Sequence, residues 1–179
     1  MRPIRARPTL LENYLLCFNL PIGRGERGVA NLETCAGART WGVLYLITPE
    51  QSEHLDRTEG VPRGVYRRIH VRAIVEGGWQ VAGFTYQSDR ISRGRKPSPR
   101  YLGLLIEGAA QHGLPPDYLD YLESFDLAAD ERRSQHRPPR WRLTPPARTE
   151  GCKFSLLCLA VEKAAPKASQ LRPILAKQR

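Results

Sequence analysis

A chain of 179 residues, 41% hydrophobic and 26% charged, suits one domain with a sizeable core. Its longest apolar run is far short of a membrane span and its start lacks the apolar core of a secretory signal, so a cytoplasmic protein with no membrane partner is expected. The net charge of +10 is lopsided: Met1–Ala128 holds 16 basic and 14 acidic residues, Ala129–Arg179 holds 12 and 4, so the basicity belongs to the tail.

In chain order, Met1–Pro8 carries three arginines and no acid, and reads as a solvated terminus. Asn13–Asn19 is a first strand. Pro21–Gly28 lacks the strand, lysine and helix of a phosphate-binding loop and reads as a mobile connection. Val29–Thr34 is a short strand, Cys35–Thr40 a turn, and Trp41–Ile47 an apolar strand rich in aromatic and β-branched residues. A short helix follows with clear ends. Thr48 is its N-cap, Pro49 occupies the first helical position, and Gln51 can return a hydrogen bond; Gly60 and Pro62 stop it near Thr58. Glu59 stands at that exit.

Val65–Val75 alternates as a strand, and Gly77-Gly78 turns it into Trp79–Gln87, where Phe84 and Tyr86 share a face. Ser88–Pro97 is a polar, basic loop. Ser98 with Pro99 opens a second helix toward a Gly113 stop, with Tyr101 in its first turn; Pro115 and Pro116 open a third, bearing Tyr118 and Tyr121. Beyond Leu127 the composition turns to proline and arginine, which divides the chain into a domain over 1–127 and a basic extension over 128–179 expected to be largely disordered. Within it Phe154–Val161 is apolar enough to dock. A basic segment with Trp141 could touch phosphates, but a solvated extension is the commoner meaning, so nucleic acid is not expected as a partner.

Cys17, Cys35, Cys152 and Cys158 have neither zinc-site spacing nor the density of a disulfide scaffold and read as reduced thiols. His54, His70, His112 and His136 are scattered without ligand spacing. Glu59 is the one acid set on a bend between two strands, where partial desolvation would raise its pKa toward that of a general base. Taken alone, a Glu before a Gly is far more often a solvated helix end.

The runs GVLYLI, LDRTEGV, GVYRRIHV, FTYQS and KPSPRYLGLLIEGAAQHGLPPDYLDYL, in this order, resemble the γ-glutamylcyclotransferase family over about Ala6 to Phe125. The resemblance implies an α+β fold, a small, mixed, mostly antiparallel β-barrel with packed helices. It implies an enzyme that releases 5-oxoproline from γ-glutamyl amino acids or amines, with Glu59 as acid/base, Tyr101 as a substrate contact, and neither metal nor cofactor. Tyr66 and Tyr86 would line the same cavity or pack on the inner face of the barrel. The chain departs from the family at its start, where a first strand normally runs into a Tyr-Gly-Ser-Asn loop that holds the glutamyl end of the substrate; no such tetrad is present. That departure keeps open a catalytically silent binding or scaffold domain, and a start that is incomplete. A missing first strand would also leave an unpaired edge, to be covered by a second copy in a homodimer or by Phe154–Val161.

Overall fold

The computed structural model describes residues 4–129 and 158–162. Expectations for Met1–Pro3, for Trp141, for Cys152 and His136, and for most of the basic extension lie outside the described residues. Five strands form a closed barrel, β1 (Arg5–Pro21), β2 (Gly28–Ile47), β3 (Arg67–Ile74), β4 (Gln80–Gln87) and β5 (Cys158–Glu162), in the order β1-β2-β5-β4-β3. Three helices pack on its outside: α1 (Pro49–Thr58), α2 (Pro99–Gln111) and α3 (Pro116–Glu123). The α+β barrel with packed helices is the architecture expected from the sequence. No helix among the described residues is long and apolar enough to cross a membrane.

Two local expectations are corrected. Arg5–Pro8 is not a solvated terminus but the start of β1, paired from Arg5↔Leu46 to Pro8↔Val43, because the buried run Trp41–Ile47 needs a neighbour for its backbone groups. The segments Val29–Thr34, Cys35–Thr40 and Trp41–Ile47 form one continuous β2. Its register against β1 passes from Tyr14↔Thr34 to Glu12↔Arg39, so four residues of β2 bulge opposite Asn13. There Asn13 and Gly37 both have positive φ, and the Gly37 N–H donates to Asn13 Oδ1 at 2.9 Å. Locally such a bulge has the composition of a turn.

The edge is covered in one of the two ways expected from the sequence. β5, from beyond the 1–127 boundary drawn on composition, lies between β2 and β4, parallel to β2 over Val43↔Cys158 to Ile47↔Glu162 and antiparallel to β4 at Phe84↔Ala160. Part of the apolar segment Phe154–Val161 therefore fills the edge from within the chain. Gly83 makes room for it: a Cβ there would lie 2.9 Å from the Ala160 carbonyl oxygen. At the remaining seam β1 meets β3 through Leu10↔Ile74, and the Thr9 hydroxyl donates to the Ile74 carbonyl at 2.8 Å.

Alternation along the strands sorts side chains into two apolar bodies. Leu11, Leu32, Leu44, Val71, Ala73 and Leu159, drawn from four strands and no helix, fill the barrel interior. Val43, Tyr45, Ile47, Phe84, Tyr86 and Ala160 face outward beneath Leu55 of α1, Leu102 and Leu105 of α2, and Tyr118 and Leu122 of α3. Tyr86 thus packs on the outer face of the barrel, beside Phe84 with ring centroids 5.9 Å apart, rather than inside it.

Candidate active site

Helix α1 begins and ends as its sequence dictates. Thr48 and Gln51 form a reciprocal capping box, with the Gln51 N–H on Thr48 Oγ1 at 3.3 Å and the Thr48 N–H on Gln51 Oε1 at 3.1 Å. At the other end the Glu59 N–H closes the last helical hydrogen bond to the Leu55 carbonyl at 2.8 Å. Gly60 then turns left-handed at φ 70°, and a Cβ there would come within 2.9 Å of Val65. Glycine is required at this position on both counts, and the turn holds Glu59 against the barrel instead of in solvent.

The Glu59 carboxylate makes no hydrogen bond and no ion pair with another described residue. No fully buried side-chain oxygen among the described residues lacks a partner, so these oxygens remain reachable from outside. Burial raises the Glu59 pKa above the ordinary carboxylate value. The phenols of Tyr66 and Tyr86 couple to it electrostatically. Both phenols are pushed well above the ordinary tyrosine value, first by burial; the negative charges around them add to it.

Tyr66 and Tyr101 grip the backbone of one residue, Ala30, from both sides. The Tyr66 hydroxyl donates to the Ala30 carbonyl at 2.6 Å, and the Tyr101 hydroxyl accepts from the Ala30 N–H at 3.2 Å. The register explains why the Ala30 backbone is on offer: β1 and β2 pair at Cys17↔Asn31 and again at Leu20↔Val29, leaving Ala30 in a bulge opposite Phe18 and Asn19. Tyr101 is aimed by its helix, whose N-cap Ser98 receives the Tyr101 N–H, and by edge-on packing against Phe18 with centroids 6.1 Å apart.

Tyr86 is held differently. Its hydroxyl donates to Asp56 Oδ1 at 2.6 Å, and Asp56, one helical turn before Glu59, also receives a two-pronged Arg68 guanidinium at 3.1 and 2.6 Å. Arg68 lies over the Phe84 ring at 4.0 Å and reaches Ser52 and Glu162. Sequence reasoning missed Asp56, Arg68, Ser52 and Glu162. The first three carried a usable signal: Ser52, Asp56 and Glu59 share one face of a short helix, and Arg68 is two residues past Tyr66 on the strand that follows. Glu162 carried none, since its pairing is non-local.

A phenol has one proton to give. Tyr66 gives it to Ala30 and Tyr86 to Asp56, so neither stabilises the Glu59 anion. The arrangement is a half-buried carboxylate with raised proton affinity, open on one side and flanked by phenolic oxygens. Such a group can take a proton from an ammonium and return it.

Other candidates lie elsewhere. His112 faces the Tyr45 hydroxyl at 3.1 Å, with its pKa lowered by burial, and no metal-binding cluster occurs among the described residues. Cys17 and Cys35 are free thiols, and burial pushes Cys17 up to about 11, which leaves it unreactive. The basic loop is anchored at its start, where the Ser88 N–H donates to Asn31 and its hydroxyl to the Val65 carbonyl. Its Arg93, Arg95 and Lys96 line a cavity of about 740 Å³ with Cys17, Phe18 and Tyr121. A groove of about 500 Å³ runs over Arg68, His70, Phe84 and Glu162. Neither is lined by Glu59.

The AIG2-like family model matches residues 39–122. Gamma-glutamylcyclotransferase of Bos taurus is 29% identical over 120 residues, 65% of this chain and 63% of the relative; that of Homo sapiens is 28% identical over the same shares. The matched stretch thus spans under two thirds of these relatives' length. A solved structure of a gamma-glutamyl cyclotransferase superposes with a TM-score of 0.65 at 23% identity, covering 77% of this chain and 84% of the other. YkqA from Bacillus subtilis gives 0.59 at 24% identity, covering 68% and 45%. At these identities the structures speak for the fold, in which Glu59, Tyr66, Tyr86 and Tyr101 all fall within the family-matched residues.

Proposed function

We propose that this chain, which the AIG2-like family model matches over residues 39–122 and which is similar to gamma-glutamylcyclotransferases in sequence and fold, releases 5-oxoproline from a small γ-glutamyl amino acid or amine, with Glu59 as acid/base. The observation that carries this reading is the Glu59 carboxylate itself, half-buried, without a hydrogen-bonding partner among the described residues, and beside two phenols whose protons are engaged elsewhere.

The reaction is intramolecular. Glu59 takes a proton from the substrate's α-ammonium; the freed amine attacks its own γ-carbonyl, and a five-membered ring closes through a new C–N bond. As the tetrahedral centre collapses, the original γ-amide C–N bond breaks; the departing nitrogen collects the proton from Glu59, and the ring nitrogen's remaining extra proton passes to the departing amine, which leaves as an ammonium. The carboxylate ends as it began. A raised pKa suits both halves, since a base too weak would leave the ammonium intact and an acid too weak would strand the leaving amine. Holding the glutamyl chain folded for attack supplies much of the remaining acceleration. Tyr101 is assigned to substrate contact, and Tyr66 and Tyr86 to the wall around Glu59.

A second reading, a catalytically silent binding or scaffold domain, is favoured by one observation: the sequence carries no Tyr-Gly-Ser-Asn. One experiment separates the two. 5-oxoproline release is measured over a panel of γ-glutamyl amino acids and amines for the native chain and Glu59→Gln, which keeps the shape and removes the titrating group. Loss of a general acid/base costs on the order of 10²–10⁴ in rate. Turnover by the native chain that falls by this factor supports the enzyme; equal rates remove Glu59 from the chemistry; no release from any compound favours the silent domain.

A further inference from the structure

We propose that Glu162, carried into the barrel by β5, is a positioning residue for Glu59: through Ser52 and Arg68 it fixes Asp56, and Asp56 keeps the Tyr86 hydroxyl proton away from the Glu59 carboxylate. The inference rests on the reading of Glu59 as the acid/base.

The geometry is a chain of single-proton commitments. The Ser52 hydroxyl donates to Glu162 Oε1 at 2.6 Å, so toward Arg68 it can only accept, which it does from Nη2 at 2.6 Å. Arg68 Nη1 donates to the same Glu162 oxygen at 3.1 Å. With its Nη1 and Nη2 ends tethered, the guanidinium presents Nε and Nη2 to the two oxygens of Asp56. Asp56 Oδ1 then takes the Tyr86 proton. Four elements meet here: α1 gives Ser52, Asp56 and Glu59, β3 gives Arg68, β4 gives Tyr86, and β5 gives Glu162.

Glu162 is the only member of this network that lies outside the residues matched by the family model. It reaches its place because Gly83 leaves room for β5 and because Ala160 sits under the helices in the outer core. The segment beyond the composition break therefore does more than close a sheet. It terminates a hydrogen-bond chain whose other end is the phenol beside Glu59.

Releasing the tether has a signed consequence. Asp56 and Glu59 stand one turn apart at the end of α1, and the Tyr86 hydroxyl sits on Asp56 Oδ1 at 2.6 Å, which brings that phenol from β4 to the Glu59 side of the helix; Tyr66, ahead of β3, is the other phenol that couples to Glu59. Asp56 acts through Tyr86, Arg68 and Glu162 act one step further out, Tyr101 is joined through Ala30, and Arg63 in the following turn folds back toward Gly60. Tyr66 stays committed to Ala30 throughout. Once Asp56 is loosened, Tyr86 can turn its proton to Glu59, and a hydrogen bond to the charged form favours that form. Glu59 becomes a weaker base.

The test uses the full chain and four variants: Glu162→Gln, Ser52→Ala, and each combined with Tyr86→Phe. Ser52→Ala breaks the same tether with no change of charge and without touching β5, which covers the case in which Glu162→Gln disturbs folding. Two readouts are taken, the titration of the Glu59 carboxyl followed by carbon NMR and assigned with Glu59→Gln, and the pH profile of 5-oxoproline release. In both single variants the Glu59 titration and the acid limb of the profile are expected to move to lower pH, with the plateau rate falling several-fold. Adding Tyr86→Phe is expected to bring the titration back toward that of the native chain. An unmoved titration in folded single variants overturns the proposal, and so does a shift that survives Tyr86→Phe. A titration that moves and is restored as described, in a chain that releases no 5-oxoproline, upholds the positioning of Tyr86 and refutes the acid/base role instead.

Discussion

The barrel interior and the corner where α1 meets β3 and β4 are built from the same strands on opposite rules. Inside, the side chains of Leu11, Leu32, Val71, Ala73 and Leu159 pack together as one apolar cluster, and each contributes through removal from water and close packing. At the corner, Asp56, Arg68, Ser52, Tyr86 and Glu162 satisfy one another through directed bonds, and Glu59 alone is left without a hydrogen-bonding partner. A single strand serves both. On β4, Val81 packs with the interior while Phe84 and Tyr86 face outward, so period-two alternation is what separates a filler from a site. The barrel is thus a scaffold, and the polar network with Glu59 lies beneath the helices on its outside.

That contrast can be broken most forcefully from the inside. Leu11 is completely buried, and Leu11→Ala is expected to cost about 2–5 kcal/mol through lost transfer and the cavity left behind. Chemical denaturation should show the loss, while 5-oxoproline release per folded molecule stays as in the native chain. An unchanged midpoint would mean the interior collapses around the gap, and a large loss of rate in folded protein would mean the two regions are coupled. Tyr66→Phe probes the boundary between them. It keeps the ring but orphans the Ala30 carbonyl, which the β1–β2 bulge has already withdrawn from the ladder, for a cost of about 1–3 kcal/mol. Denaturation with no such loss would show that Ala30 finds another donor.

What could be read in the sequence was what is decided locally. Thr48, Pro49, Gln51 and Gly60 fix both ends of α1 by bonds and angles within a few residues, and the alternation of Phe84 with Thr85 and Tyr86 follows from the pleat. Glu59 as an isolated acid on a bend was legible too; its weight as a candidate came from family likeness rather than from the pattern. What was hidden depends on distant partners. Arg5–Pro8 extends β1 only because Val43–Leu46 is there to pair with it, and the turn-like Cys35–Ala38 becomes a bulge only because β1 continues past it. Five residues of an otherwise Pro- and Arg-rich extension become β5 because Gly83, some 75 residues earlier, leaves a gap of the right depth. The Ser52–Arg68–Glu162 network was invisible for the same reason.

The smallest effect expected is also the one that separates the two regions by sign. Glu59 has its pKa raised by burial in the folded chain, so the fold binds its proton more tightly than the unfolded chain does. Below the ordinary carboxylate pKa the group is neutral in both states and costs nothing on this account. As the pH rises through that value and then through the raised folded one, the fold is left holding a desolvated charge, and stability declines over that window. Glu59→Gln has no such charge, so its melting temperature at pH 7 is expected to exceed that of the native chain, with the gain fading as the pH falls below the carboxylate range. Other acidic groups titrate in both chains and cancel in the difference. The deficit of Leu11→Ala, by contrast, carries no proton and should hold nearly constant across the same range. A melting temperature for Glu59→Gln equal to or below the native value at pH 7 would show that the carboxylate is satisfied in the folded state, and the corner would then obey the same rule as the interior, with every group paired or packed and none held ready for a substrate.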